Sequence, residues 1–461
     1  MVEKTYQRLD ANRHTTWRRL IGSIMLSLAF LAFMAAKPTA AQGISLISDE
    51  ETEQLLGKIA RPLFTAAKVR FNRNDIYIVD DPTLNAFVAD GNALFVHTGT
   101  IIAADSPNEL AGVIAHETGH IEGGHILRQK LKNQELQGVT LASAILAGTA
   151  AALSGRGDAA MAVMLGTQSS ALTHYSRYRT QEERSADEAA MKLLNKTGQS
   201  PAGMLTFMKR ISTRNTMSGI EEIPYFRTHP ITRERISFFE EAVKRFPLTA
   251  ADPLQNEFER VKAKLYAYLN TPADTYKKYP ATDKSISGQY ARAIADFKAL
   301  KFNQALSGLE KLSQSEPDNP YFYELKGQIY LETGKIKPAV AAYRKALSLM
   351  PTSALLQIST AQAILEDSPD KNEIQEAINL LNKANISRPL GFSWLLLSRA
   401  YGMAGNEAAA NYAAAEHSLR IGAQDIAERQ AEQAKINAKD AKLRLKIDDL
   451  LVRIKNLKQK P

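Results

Sequence analysis

Four residues that can take part in metal chemistry lie close together in the chain. The segment Val113 to His125 reads VIAHETGHIEGGH and brings His116, Glu117, His120 and His125 within ten residues, in a chain that has eight histidines. Residues four apart on a helix lie on one face, one turn apart. His116 and His120 can therefore present two imidazoles to one metal ion, with Glu117 beside them. This HExxH spacing is the arrangement of zinc hydrolases.

The chemistry that this spacing predicts is metal-assisted hydrolysis. Zinc binds a water molecule and lowers the pKa of that water to about 7. A neighbouring glutamate can then accept the proton as the water attacks a carbonyl. The alternative is a solvated helix that happens to be rich in histidine. Chance produces HxxxH with Glu in second place in about one chain in a hundred of this composition, so the metal site is the favoured interpretation.

The third metal ligand has two candidates. An elongated spacing within the same segment would place a histidine at position 126, which is Ile126, and His125 misses that position by one residue. The segment EERSADEAA offers Glu183 instead, although a surface glutamate at the start of a charged helix is also plausible there. If Glu183 binds the metal, Asp187 lies one turn along and can hold the free nitrogen of a ligand histidine. Glu182 points about 100° away and ranks lower.

The amino-acid composition restricts the possible ligands and partners. The chain has 461 residues and no cysteine, so thiolate zinc sites, disulfides and cysteine nucleophiles are excluded. The formal net charge is +9, but residues 1–41 hold six basic and two acidic residues, which leaves +5 for the rest. That charge is mild and no cluster of basic and aromatic residues accompanies it, so we expect no nucleic-acid partner.

The N-terminus is typical of an exported protein. Arg13, Arg18 and Arg19 precede the apolar run LIGSIMLSLAFLAFMAA, and small residues follow it. Basic, apolar and then small residues are the layout of a secretory signal, so we predict a signal peptide over 1–41, cleaved after Ala41. A retained membrane anchor is the alternative, but the run is short for a bilayer span of about 20 residues.

Local patterns predict two strands followed by a helix that carries the HExxH segment. The segments Asp75–Asp80 and Asn92–Gly99 alternate as strands do. Residues 92–96 are either an exposed strand edge that pairs with an extended substrate or an ordinary core strand. In SPNEL, Ser106 can cap a helix, Pro107 suits its first position, and Glu109 completes a capping box.

The C-terminal part of the chain is repetitive. Residues 320–353 span 34 positions and match the tetratricopeptide pattern, and Ala305 and Pro317 lie 34 residues before Ala339 and Pro351. A further repeat of the same pattern begins after a spacing of 38 residues, and another repeat follows that one. We therefore predict an α-solenoid of helix pairs over 280–461. Its packing positions are expected to be Tyr323, Gly327, Ala339 and Ala346.

The order of these motifs resembles that of a known family. NAFV, LFVHTGTI, NELAGVIAHETGH, ERSADEAA and THPITRERI follow one another as in the HtpX-like and BepA-like zinc metalloproteases, and the repeats resemble the BepA-like branch. The resemblance implies a mainly α fold: a zinc-metallopeptidase domain with a small β-sheet over 42–270, followed by the solenoid. It also implies that His116, His120 and Glu183 bind one zinc ion per chain.

The same resemblance implies roles for three further residues. Glu117 would be the general base. Asp187 would be an active-site carboxylate, to which proton donation is sometimes assigned in the family. His229, in the His-Pro pair of THPITRERI, would be either a fourth zinc ligand that closes the site or a residue that stabilises the oxyanion.

The function that the resemblance implies is that of a periplasmic zinc endopeptidase in the quality control or assembly of outer-membrane proteins. Its substrates would be misassembled outer-membrane proteins, and its repeats would bind the outer-membrane assembly machinery. The alternative is an assembly chaperone or adaptor with a latent zinc site. The apolar segment 136–172 is a candidate for peripheral membrane contact. A covering hairpin is more plausible than a span there, because Arg156 and Asp158 lie between its halves.

Overall fold

The computed structural model of the chain describes residues 45–89, 92–128, 179–218, 225, 228–246 and 252–459. The predicted signal peptide over 1–41 and the apolar segment 136–172 lie outside the described residues. From Leu46 onward the chain forms one unit. In the part of the chain that is described, no helix combines the length and apolar character needed to cross a membrane.

A four-stranded sheet lies beside the HExxH helix. Its strands are β1 (Leu46–Ile47), β2 (Ile76–Val79), β3 (Ala86–Ala89) and β4 (Ala93–His97), in the spatial order β1-β2-β4-β3. Strand β4 runs parallel to β2 and antiparallel to β3, so Val96 is paired with Ile78 on one side and with Ala86 on the other. The proposal of an exposed edge at residues 92–96 is therefore wrong, because β4 is a central strand of the described sheet, whose edges are β1 and β3.

In the residues that the structure describes, six helices accompany this sheet. They are α1 (Glu50–Ala66), α2 (Thr98–Ala103), α3 (Pro107–Glu122), α4 (described over 179–196), α5 (Ala202–Ser218) and α6 (Arg233–Arg245). Helix α3 begins where its sequence predicts, because the Ser106 hydroxyl accepts a hydrogen bond from the Glu109 backbone N–H and Pro107 occupies the first turn. The predicted capping box is not formed. The Glu109 carboxylate instead accepts a hydrogen bond from Arg210 at 3.0 Å.

Close contact between α3 and α4 depends on small residues. A side chain at Gly119 would put its Cβ 2.7 Å from the backbone oxygen of Ala186 and 3.1 Å from the Cβ of Ala189. Ala186 is fully buried between the two helices. Only glycine allows this approach, which brings the histidine face of α3 onto the acidic face of α4.

The rest of the described chain is helical. The helices are α7 (Gln255–Leu269), α8 (Pro272–Lys278), α9 (Ile286–Lys298), α10 (Phe302–Ser315), α11 (Pro320–Glu332), α12 (Ile336–Leu349), α13 (Ala354–Glu366), α14 (Lys371–Ser387), α15 (Gly391–Met403), α16 (Glu407–Arg420), α17 (Gln424–Asn437) and α18 (Ala441–Lys458). From α9 onward they stack in antiparallel pairs, as the repeat pattern predicts.

The predicted packing positions of the repeats hold with one exception. Ala339 and Ala346 are fully buried, and Gly327 lies so close to the ring of Tyr343 that an added Cβ would lie 2.9 Å from it. Tyr323 is only partly buried, and its ring lies 5.6 Å from the Lys345 ammonium group. Tyr323 is therefore not a core residue but an aromatic surface residue beside a basic one.

Helix α1 connects the two parts of the chain through ion pairs. Its N-cap Asp49 pairs with Lys264, and Glu51 pairs with Arg260 at 2.5 Å, both on α7. Glu53 pairs with Arg388 after α14. The carboxylates of Glu51 and Glu53 are almost completely buried, and that of Asp49 is partly buried. The first turn of α1 is therefore held by residues from the later, C-terminal part of the chain.

Candidate metal centre

Four buried side chains converge on one point between α3, α4 and the turn before α6. His116, His120, Glu183 and His229 each offer one ligand atom, and these atoms all lie within 4.8 Å of one another. Nε2 of His116 lies 3.1 Å from Nε2 of His120 and 3.3 Å from Nδ1 of His229. A Glu183 carboxylate oxygen lies 3.0 Å from the same Nδ1. Nitrogen and oxygen donors that converge in this way form a candidate metal site.

The backbone explains why these side chains meet. One turn of α3 separates His116 from His120, and α4 brings in Glu183 because Gly119 lets the helices touch. The His229 N–H donates a hydrogen bond to the Tyr225 carbonyl at 2.7 Å. The Tyr225 ring lies against the His229 imidazole, with 4.7 Å between ring centroids. That packing fixes the direction of the imidazole.

Asp187 lies behind His116, away from the point of convergence. Its Oδ1 is 2.9 Å from Nδ1 of His116, the ring nitrogen that faces away from the other candidate ligands. Arg235 donates two hydrogen bonds to the same carboxylate, at 2.7 and 2.9 Å, and reaches Glu183 Oε2 at 2.8 Å. Burial would raise the pKa of Asp187, but His116 and Arg235 outweigh burial and lower it. Asp187 is therefore an ionised carboxylate that holds His116.

Glu117 lies on the other side of the cluster, next to the edge strand. Its carboxylate is buried, its Oε1 is 3.4 Å from Nε2 of His229, and it accepts a hydrogen bond from the backbone of Val88 in β3. Burial raises the pKa of Glu117 to about 7, although the histidines nearby oppose this. Among the described residues, Oε1 of this carboxylate has no hydrogen-bond partner. A carboxyl group with such a pKa can exchange a proton at neutral pH.

Burial and charge set the protonation of the candidate ligands. Burial opposes charging of His116, but hydrogen bonds to Asp187 and Glu183 outweigh it and raise its pKa to about 9. Burial lowers the pKa values of His120 and His229. Burial would raise the pKa of Glu183, yet the histidines around it hold that pKa well below its usual range. The cluster thus contains an ionised carboxylate and two neutral imidazoles at neutral pH.

Comparison with known proteins agrees with this geometry. Residues 50–243 match peptidase family M48. This part of the chain is an M48 metalloprotease domain. The chain is 24% identical to the beta-barrel assembly-enhancing protease of Escherichia coli (strain K12), over 77% of this chain and 73% of that protein. It is 26% identical to metalloprotease LoiP of the same organism, over 46% of this chain and 84% of that protein.

Relatives in other organisms and among solved structures complete the comparison. The beta-barrel assembly-enhancing protease of Yersinia pestis is 24% identical, over 77% of this chain and 73% of that protein. The crystal structure of the yeast Tom70 protein aligns with 88% of this chain and 72% of its own, at 14% identity and a TM-score of 0.30.

Within the M48 domain, the structure separates the residues that the sequence left as alternatives. His125 is not part of the converging group, because its Nδ1 lies 2.9 Å from Nδ1 of His120, the nitrogen on the far side of that ring. Gly123 makes room for His125, since a Cβ there would lie 2.4 Å from its ring. Glu182 is directed toward Arg128, 3.8 Å away, and also lies outside the cluster.

Sequence reasoning missed two contributors to the site. Arg235 lies inside the THPITRERI segment, six residues after His229, and only its burial shows that it pairs with acidic residues of α4. Tyr225 is completely buried against His229. No local pattern in the sequence marks either residue, since the acidic partners of Arg235 lie on a separate helix, α4.

Proposed function

We propose that the chain is a zinc endopeptidase in which His116, His120 and Glu183 bind one zinc ion. The observation that carries this proposal is the buried convergence of their donor atoms beside the Glu117 carboxylate. Imidazole nitrogen and carboxylate oxygen are donors that zinc prefers, and two histidines with one glutamate is a set found in catalytic zinc sites. A zinc ion held there would act as a Lewis acid toward a peptide carbonyl and toward water.

Glu117 is assigned as the general base. The Val88 backbone holds its carboxylate at the edge of the sheet, and burial brings its pKa to about 7, near the operating pH that favours proton transfer. Its Oε1 is directed toward the imidazole of His229. Glu117 can therefore take a proton from water on one side of the cluster and return it to the leaving amine.

Asp187 is assigned as a positioning residue rather than a proton donor. Its pKa is lowered and its oxygens are committed to His116 and Arg235. A carboxylate on the outer nitrogen of a ligand histidine fixes the tautomer and orientation of that ring. Arg235 in turn helps to keep Asp187 ionised and also contacts Glu183.

His229 is assigned as a fourth ligand that closes the resting site. Its Nδ1 faces the same point as the other donors, and its ring is held there by Tyr225. Catalytic zinc sites need an open position, so this arrangement favours a latent peptidase that opens when His229 moves. The same observation favours the second candidate function, an assembly chaperone or adaptor whose zinc site is mostly silent.

Substrate entry is proposed along β3. This strand is an edge of the sheet, and its Val88 contacts Glu117 directly. An extended polypeptide can pair with the free edge of a strand through backbone hydrogen bonds. Pairing with β3 would carry a peptide past Glu117 and the cluster.

The cellular role that we propose is in the assembly or quality control of outer-membrane proteins in the periplasm. Support comes from the similarity to beta-barrel assembly-enhancing proteases over most of the chain and from the signal-like sequence over 1–41. The proposed organisation is a signal peptide over 1–41, a zinc metalloprotease domain over 42–270 and a tetratricopeptide-repeat domain over 280–461. The repeats would bind the assembly machinery, and misassembled outer-membrane proteins would be the substrates.

Casein cleavage by wild type and by Glu117→Gln tests the peptidase assignment. The variant should keep its zinc and its fold but lose cleavage, because an amide cannot accept the proton. Glu122→Gln, an exposed glutamate on the same helix, is the matched control and should cleave normally. Cleavage by Glu117→Gln at the wild-type rate would overturn the mechanism. Restoration of outer-membrane protein assembly by Glu117→Gln in cells that lack the gene would favour the chaperone alternative.

A further inference from the structure

A cavity lies away from the metal centre, between the segment that precedes α1 and the first helices of the C-terminal part. It has a volume of about 290 Å³, just below the roughly 300–1,000 Å³ of sites for drug-sized ligands. Its wall consists of residues from α7, α9, α11 and the segment before α1. Leu269, which is exposed, lies at its mouth. A space of this size suits one long side chain rather than a whole ligand.

The charges around this cavity do not balance. Each acidic residue in the first turn of α1 has a basic partner: the pairs are Asp49 with Lys264, Glu50 with Arg73, Glu51 with Arg260 and Glu53 with Arg388. Glu324 on α11 lines the same cavity and forms no ion pair with the described residues. Among the described residues, Lys264 is the basic group whose charge acts on Glu324 most, and the ammonium of Lys264 is paired with Asp49 and Glu51.

The state of Glu324 reflects this surplus of negative charge. Burial raises its pKa to about 7, and the charge of Lys264 opposes this only in part. The carboxylates of Asp49 and Glu51 raise it further. A carboxyl group in such a position gains most from a positive charge brought in from outside.

The remaining wall suits the rest of a cationic side chain. Three tyrosines, Tyr268, Tyr290 and Tyr321, line the cavity together with Leu265 and Leu325. Aromatic faces attract ammonium and guanidinium groups, and leucine side chains can cover the methylene groups of a lysine or arginine. An acid among tyrosine and leucine side chains matches a positive charge at the end of an apolar stem.

We propose that this cavity binds a lysine or arginine side chain of a partner polypeptide, with its charged group between Glu324 and the tyrosine rings. The site goes beyond the proposed peptidase function, because it needs neither zinc nor cleavage. It would give the helical part of the chain a preference for basic residues in the polypeptides that it holds.

The test is a ligand-observed NMR titration of the full chain with a blocked Ala-Lys-Ala tripeptide. The counterpart with norleucine in place of lysine has the same stem without the charge. A hydrogen bond to a charged group is worth about 1.5–3 kcal/mol, so the lysine peptide should bind at least about tenfold tighter. Equal binding of the two peptides would overturn the proposal. n-Butylamine binding as tightly as the lysine peptide would overturn the assignment to a polypeptide.

Two variants assign the binding to Glu324. Glu324→Gln should remove the preference for lysine, while Glu310→Gln, an exposed glutamate on α10, should leave it unchanged. Gln328→Lys places an ammonium group one turn along α11, where it can pair with Glu324 and fill the cavity from within. It should abolish binding of the lysine peptide even if Glu324→Gln does not fold. Wild-type binding by Gln328→Lys, or by a folded Glu324→Gln, would contradict the proposal.

Discussion

Replacing Asp187 with asparagine tests how the residues that hold the candidate ligands in place support the metal site. The change keeps the size of the side chain but removes the charged acceptor that lies 2.9 Å from Nδ1 of His116. It also frees Arg235 from its two hydrogen bonds to this carboxylate. Loss of such a support typically weakens metal binding about 10–100-fold, which corresponds to roughly 1.4–2.7 kcal/mol.

The structure adds a second reason for the loss. The guanidinium group of Arg235 already lies 2.8 Å from a Glu183 oxygen, and without Asp187 it can turn fully toward Glu183 and compete with the metal. Adding Arg235→Gln to Asp187→Asn should therefore restore part of the affinity. Arg235 is almost completely buried, so its new partner cannot be water.

The assay is competition with a zinc chelator, with circular dichroism to confirm the fold. Glu188→Gln is the matched control, because Glu188 lies next to Asp187 on α4 but is exposed and pairs with Arg184. That control should bind zinc as wild type does. An Asp187→Asn chain with wild-type zinc affinity would refute the assignment of Asp187 as the residue that holds His116.

Three further predictions follow from the same geometry. Protonated His116, whose pKa is about 9 in the metal-free protein, must lose a proton to bind zinc, so zinc affinity should rise by about tenfold from pH 7 to 8 and by about fivefold from pH 8 to 9. An affinity that does not change over this range would contradict the pKa. His229→Ala should increase cleavage of casein or self-cleavage, whereas decreased cleavage would assign oxyanion stabilisation. Gly119→Ala should lower the zinc content of the purified protein, because its Cβ would lie 2.7 Å from the Ala186 oxygen; Gly402→Ala, with no atom within 4 Å of its Cβ, is the control.

The sequence predicted the parts of the site that depend on helical spacing. The four-residue interval between His116 and His120 places both on one face of α3. The same interval places Asp187 one turn after Glu183 on α4, where it reaches the outer nitrogen of His116. These relations hold because a helix has a fixed repeat. The cap at Ser106 was equally predictable, since it depends on the residues that follow it directly.

Predictions failed where the outcome depends on tertiary contacts. Alternation of side chains is the same in an edge strand and a central one, so it did not show that β4 has neighbours on both sides. The capping box at Glu109 does not form, because the Glu109 carboxylate forms a salt bridge with Arg210, which is distant in sequence. Arg235 and Val88 reach the site only because α6 and β3 pack against it. No local pattern reports such contacts.

The acidic first turn of α1 limits how freely the parts of this chain can be exchanged. The same helix contributes Leu55 and Leu63 to the core that holds Ile114 of α3, while its carboxylates depend on Arg260, Lys264 and Arg388 from the later helices. A chain cut after Thr271 would remove Arg388 and leave Glu53 without its basic partner. A repeat array from a relative would work on this M48 domain only if it supplied a matching basic residue at the position of Arg388. The protease and its repeats are thus two modules joined by a shared set of charges, and any recombination must transfer that set with them.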